Sequence, residues 1–143
     1  TFMDKMIQDI ALERKIPLYG LETREEIYKL QYRDMPLSEQ ARMLVFSLKT
    51  NPSDVMYSMV DTCFIYQRLD CMCTALPGVI NYTRPGDSTM IYKRNLLWME
   101  KIPALIHKQS TLIAVGSMHL CGDAGLINLL MEKKYKLTPL TYK

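Results

Sequence analysis

The sequence contains no apolar run long enough to cross a bilayer, which takes about 20 residues. Its richest stretch, Val55 to Leu76, is interrupted by Asp61, Arg68 and Asp70, so a membrane span is excluded. An excess of one charge is lacking too. Eighteen Lys and Arg against fifteen Asp and Glu leave +3, too little to point to nucleic acid. Residues 1–50 carry eight charges of each sign, while residues 87–143 carry eight basic and four acidic. That mildly basic end reads as solvated lysine. Cysteine is sparse. Four residues (Cys63, Cys71, Cys73, Cys121) are too few for a disulfide scaffold, and Cys71-x-Cys73 fits neither a zinc knuckle nor a thioredoxin motif. The expectation is apolar or half-exposed free thiols, with the redox compartment open. G-x-S-x-G is absent, so Ser117 is no nucleophile elbow, and the first G-x-G of a dinucleotide fingerprint is missing. There is no tandem repeat and no low-complexity tract.

What remains is a foldable chain of 143 residues, 48% apolar and 23% charged, enough to bury a core as one domain over residues 1–143. It opens on Thr1 in mid-helix style, which reads as the C-terminal part of a longer protein.

Residues 2–14 read as a helix with Phe2, Met6 and Ile10 on one side. Thr23-Arg-Glu-Glu26 is a capping box for a helix to about Asp34. Leu37 to Lys49 resumes helical spacing after Pro36. Asn51-Pro52-Ser53-Asp54 starts another helix, expected to reach about Leu76 and to end at Pro77-Gly78. Asp87 caps a long helix to about Lys108, with Pro103 as a kink or break. A helix from Leu126 to Lys134 closes the set. Three segments read as strands: 16–21, 111–116 and 136–140. Thr111-Leu-Ile-Ala-Val115 is a continuous apolar run, as in a strand buried on both faces. The expected fold class is α/β, a small mixed or parallel sheet packed by several long helices.

Two residues then share a setting. Glu22 follows the 16–21 segment and precedes a capped helix; His119 follows 111–116 and precedes another. Ligands of open α/β sheets bind beyond the carboxyl ends of strands, so both would face one crevice. Gly116, Gly122 and Gly125 permit a tight turn there. A nearby helix N-terminus would keep His119 neutral, fit to act as a metal ligand or general base. His107, beside Lys108 at a helix end, reads as structural. Arg94 and Asn95 present two polar side chains, with Trp98 one turn on.

These residues resemble the TraB/PrgY/GumN family, specifically its C-terminal half. The likeness runs through Arg94-Asn95-Leu-Leu-Trp-Met99, then Leu112-Ile-Ala-Val-Gly116-Ser-Met-His119-Leu-Cys-Gly122-Asp-Ala-Gly125, then Tyr135 to Leu140. Gly20-Leu21-Glu22-Thr23 looks like the family's middle motif. The family includes the Tiki proteins, described as metal-dependent proteases whose site uses two G-x-x-H motifs and acidic residues. Carried over, the resemblance implies His119 and Glu22 as catalytic residues and ligands of a divalent metal (Zn, Mn or Co). Arg94, Asn95, Asp70, Gly116 and Gly122 would support the site or substrate. It implies a peptide or protein substrate and an extracytoplasmic parent protein. No first G-x-x-H occurs in residues 1–115. The leading expectation is a metal-dependent hydrolase, possessing here only part of its site. The alternative is a non-catalytic peptide- or pheromone-binding protein of the TraB/PrgY type. A homodimer is expected from uncovered apolar strand surface.

Overall fold

The computed structural model describes residues 3–33, 35–49, 61–74 and 88–140. It is helical. Helix α1 spans Met3–Glu13, and α2, Arg24–Tyr28, runs into a π turn over Lys29–Arg33. Helix α3 is Leu37–Lys49, the bounds its spacing predicts. Two short helical stretches follow at 61–65 and 69–74. The long helix α4 is Ser88–Lys108, and α5 is Leu126–Glu132, preceded by a 3-10 turn over Ser117–His119.

The capping box is present in full. Thr23 Oγ1 accepts from the Glu26 amide at 3.1 Å, and Glu26 Oε2 accepts from the Thr23 amide at 2.6 Å. Helix α4 continues through Pro103, which removes the donor that would serve the Met99 carbonyl. The helix expected to run to Leu76 is instead broken within the described residues, where Gln67 takes φ 53°. The proposed caps at Asn51 and Asp87, and the Pro77-Gly78 stop, lie outside the described residues.

The expected α/β fold is overturned. No strand occurs among the described residues, and 16–21, 111–116 and 136–140 are extended segments without a ladder. A strand is made by its neighbour's hydrogen bonds, and none joins these segments to one another. Two of them begin where a helix is closed off. Lys15 (φ 55°) and Lys134 (φ 67°) adopt the left-handed conformation. The next amides, of Ile16 and Tyr135, reach back to the Ala11 and Leu130 carbonyls at 2.8 and 3.1 Å. That pattern is the Schellman closure. Gln67 closes 61–65 in the same way, with Arg68 N donating to Cys63 O at 2.8 Å.

Nor is 111–116 buried on both faces. Burial alternates, with Thr111, Ile113 and Val115 turned inward and Leu112 80% exposed. The inward face packs on the main core, formed by Trp98, Met99 and Ile102 of α4 with Leu126 of α5. Trp98, Ile102 and Ile106 recur every four residues, so one stripe of α4 carries that core.

A second core gathers Cys63, Met72 and Cys121. Here the free-thiol expectation is corrected: Cys63 pairs with Cys71 and Cys73 with Cys121, at Cα separations of 5.5 and 5.1 Å, and no cysteine is free. Spacing along the chain could not disclose partners 48 residues apart. Chain entropy ranks the two bonds. From loop length, Cys73→Ser/Cys121→Ser should cost about 4 kcal/mol and Cys63→Ser/Cys71→Ser about 2.5 kcal/mol. Urea unfolding of the two double variants checks the order, and a smaller loss for the 73–121 pair would contradict it.

Candidate functional site

Helix α4 builds the site from one face. Arg94, Asn95, Trp98 and Lys101 lie three or four residues apart, or adjacent, and so point towards the same two loops. One loop carries Glu22 just before the Thr23 cap; the other is the turn 116–125 that carries His119. Lys101 Nζ donates to the Leu21 carbonyl at 2.8 Å and sits 3.5 Å from Glu26, which fixes the first loop.

Glu22 meets α4 through three donors. Arg94 Nε donates to Oε2 at 3.0 Å, Arg94 Nη2 pairs with Oε1, and Trp98 Nε1 donates to Oε2 at 3.1 Å. The guanidinium thus forks onto the carboxylate, the stronger geometry for an ion pair. It also lies over the Trp98 ring, 5.0 Å from its centroid. The His119 ring stacks on the same indole at a centroid distance of 4.3 Å, tilted by 36°.

Asn95, fully buried, holds the turn. Its Nδ2 donates to the carbonyls of His119 (3.0 Å) and Ala124 (2.7 Å), and its Oδ1 lies 2.7 Å from His119 Nδ1. Two glycines let the turn close. Gly122 takes φ +83°, and a Cβ on Gly125 would come within 2.5 Å of the Leu120 and Cys121 carbonyl oxygens. A side chain at 125 would therefore break the turn. Gly116 has no such need, since a Cβ there meets only ordinary contact with His119.

The structure therefore brings Glu22, Arg94, Asn95 and His119 together, with Gly116 and Gly122 in the same turn. The agent is the face of α4, not the ends of parallel strands. Asp70 stands apart: it is exposed and its carboxylate engages Arg68. Trp98, noted in the sequence only as lying one turn after Arg94, is a core residue and the plate between the two key side chains. Its signal was its position four residues after Arg94. His107 bonds Tyr135 Oη through Nε2 at 2.8 Å, away from these residues in contact.

Burial pushes the His119 ring down to about 4 from its ordinary 6.5; the Arg94 guanidinium adds to this and Glu22 opposes it. The expected neutral imidazole is present, but burial rather than a helix terminus is the main cause. A neutral ring is fit to accept a proton or to ligate a metal. For a divalent ion the donor set is incomplete. Glu22 spends both oxygens on Arg94 and Trp98, and the cysteines are in disulfides. Among the described residues no three His, Cys, Asp or Glu converge as ligands, whereas a catalytic centre takes about three. These residues do not by themselves fit the ion.

A family model described as TraB/PrgY/gumN family matches residues 1–139. No curated protein and no solved structure matches the chain.

The titration of His119 has a thermodynamic consequence. The unfolded ring binds its proton near 6.5, the folded ring only near 4, so the unfolded state binds more protons between these values. Stability is full above pH 6.5 and falls as the pH drops towards 4. Thermal melts across this window should give a Tm that falls with pH, and falls less in His119→Asn. Equal slopes would remove His119 as the cause.

Proposed function

Because the chain belongs to the TraB/PrgY/gumN family, we propose that it is part of a hydrolase acting on peptides or proteins, with His119 as its proton acceptor. The observation that carries this reading is the convergence of Glu22 and His119 on Trp98. In such a reaction the neutral imidazole takes a proton from water as the oxygen attacks the scissile carbonyl. The imidazolium then returns that proton to the leaving amine. Glu22, gripped by Arg94, orients the indole against which the ring rests. Dependence on a divalent metal, Zn, Mn or Co, belongs to the same proposal.

An extracytoplasmic location is also proposed. Its support is the pairing of all four cysteines, since disulfides persist in oxidising compartments. No helix among the described residues is long and apolar enough to cross a membrane.

The alternative, a peptide-binding protein without catalysis, draws on the closed Glu22–Arg94 fork, which leaves no free carboxylate beside the ring among the described residues. One assay separates the two. The chain is incubated with fluorescently labelled casein, with and without Zn, Mn or Co. The hydrolase reading expects turnover that His119→Ala reduces by about 10²–10⁴-fold. Casein retained without cleavage, or cleavage indifferent to His119→Ala, overturns it.

A homodimer is proposed on surface grounds. Large apolar side chains stand exposed among the described residues, with Leu37, Leu48 and Leu112 each more than three-quarters open to solvent. A standard interface covers about 800 Å² per partner. In the proposed dimer a second copy covers the outward side of 111–116, around Leu112. Light scattering is expected to give twice the chain mass, reduced by Leu112→Glu; a monomer mass would refute the dimer.

A further inference from the structure

We infer that Asn95 is a positioning residue that holds neutral His119 in the Nδ1–H tautomer, leaving Nε2 as the nitrogen that meets the ligand. What Nε2 then does rests on the hydrolase reading; the assignment of the tautomer rests on hydrogen bonding alone.

The argument is one of donors and acceptors. A primary amide donates only from nitrogen and accepts only at oxygen. Asn95 Nδ2 has two hydrogens, and both have carbonyl acceptors, His119 O at 3.0 Å and Ala124 O at 2.7 Å. The amide cannot be turned over. That would set Oδ1 against two carbonyl oxygens at a fully buried position, with no water to compensate. So Oδ1 is the atom that faces the ring, at 2.7 Å from Nδ1. An amide oxygen can only accept, and Nδ1 must therefore carry the hydrogen. A neutral imidazole has one N–H, so Nε2 bears the lone pair.

The clamp is unusually local. One side chain binds both the ring and the backbone carbonyl of the same residue, and Trp98 sets the plane of the ring from the side. Among the described residues Nε2 has no hydrogen-bond partner. A lone pair held in this way selects its ligand by chemical class. It can take the proton of a water or hydroxyl, or bind a cation. It cannot donate to a carbonyl or carboxylate oxygen. The site is thus committed to proton abstraction or ligation, and Asn95 makes the commitment without touching the ligand.

Nitrogen NMR tests this on the whole 143-residue chain with no substrate present. Long-range proton–nitrogen correlations at neutral pH report which ring nitrogen is protonated, and His107→Asn, removing the other histidine, assigns the signals. The expected pattern is a protonated Nδ1 and a bare Nε2 on His119. Asn95→Gln keeps an amide oxygen to accept from Nδ1 and should retain the pattern. Asn95→Leu offers none and should lose it. A proton on Nε2 in the wild type, or a pattern unchanged in a folded Asn95→Leu, overturns the inference. Should Asn95→Leu not fold, the wild-type and Asn95→Gln spectra decide by the same criterion. Failure to hydrolyse casein would sink the functional reading and leave this result standing; the converse also holds.

Discussion

A buried amide must find partners for three hydrogen-bonding positions, or its burial costs more than it returns. Asn95 finds all three in a single turn: two backbone carbonyls and one ring nitrogen. That requirement disciplines everything around it. The turn must bring residues 119 and 124 to the same spot, which demands the left-handed Gly122 and the side-chain-free Gly125. It must also approach the middle of α4, which fixes where α5 begins and where 111–116 lays its inward face. An apolar residue at 95 would fill the volume but give the turn no reason to choose this conformation.

The second constraint is electrostatic. A guanidinium, an indole, a carboxylate and an imidazole share one small region, and their arrangement avoids conflict. Arg94 satisfies the charge of Glu22 directly and lies over the indole face, while the imidazole occupies the same aromatic plate without a charge of its own. Burial and the guanidinium both favour that neutral state, and Glu22 alone works against it. The site therefore holds a base close to an ion pair whose charges already cancel.

Much of this was legible in the sequence where the signal is local. The Thr23–Glu26 box and the bounds of α3 depend on residues a turn apart, and they appear as read. Glu22, Arg94, Asn95 and His119 were legible as a set through family resemblance, and the structure joins them. What could not be read is whatever depends on distant partners. The apolar run 111–116 has strand composition, but a ladder needs a second segment alongside it, and composition cannot supply one. The same holds for Cys73, whose partner lies beyond α4. Asp70 shows the limit of motif matching, since its nearest cation, two residues away, takes its carboxylate.

The Cys73–Cys121 bond has one further consequence, topological rather than energetic. It closes a covalent ring that contains Arg94, Asn95, Trp98 and His119. When the packing of the turn loosens, these four side chains cannot diffuse apart, because the ring limits how far their loops can separate. Glu22 lies outside the ring and is tethered to it only by the chain between and by non-covalent contacts. The site thus has a permanently linked part and a detachable one, and partial opening would separate the carboxylate from the imidazole while the imidazole kept its own neighbours.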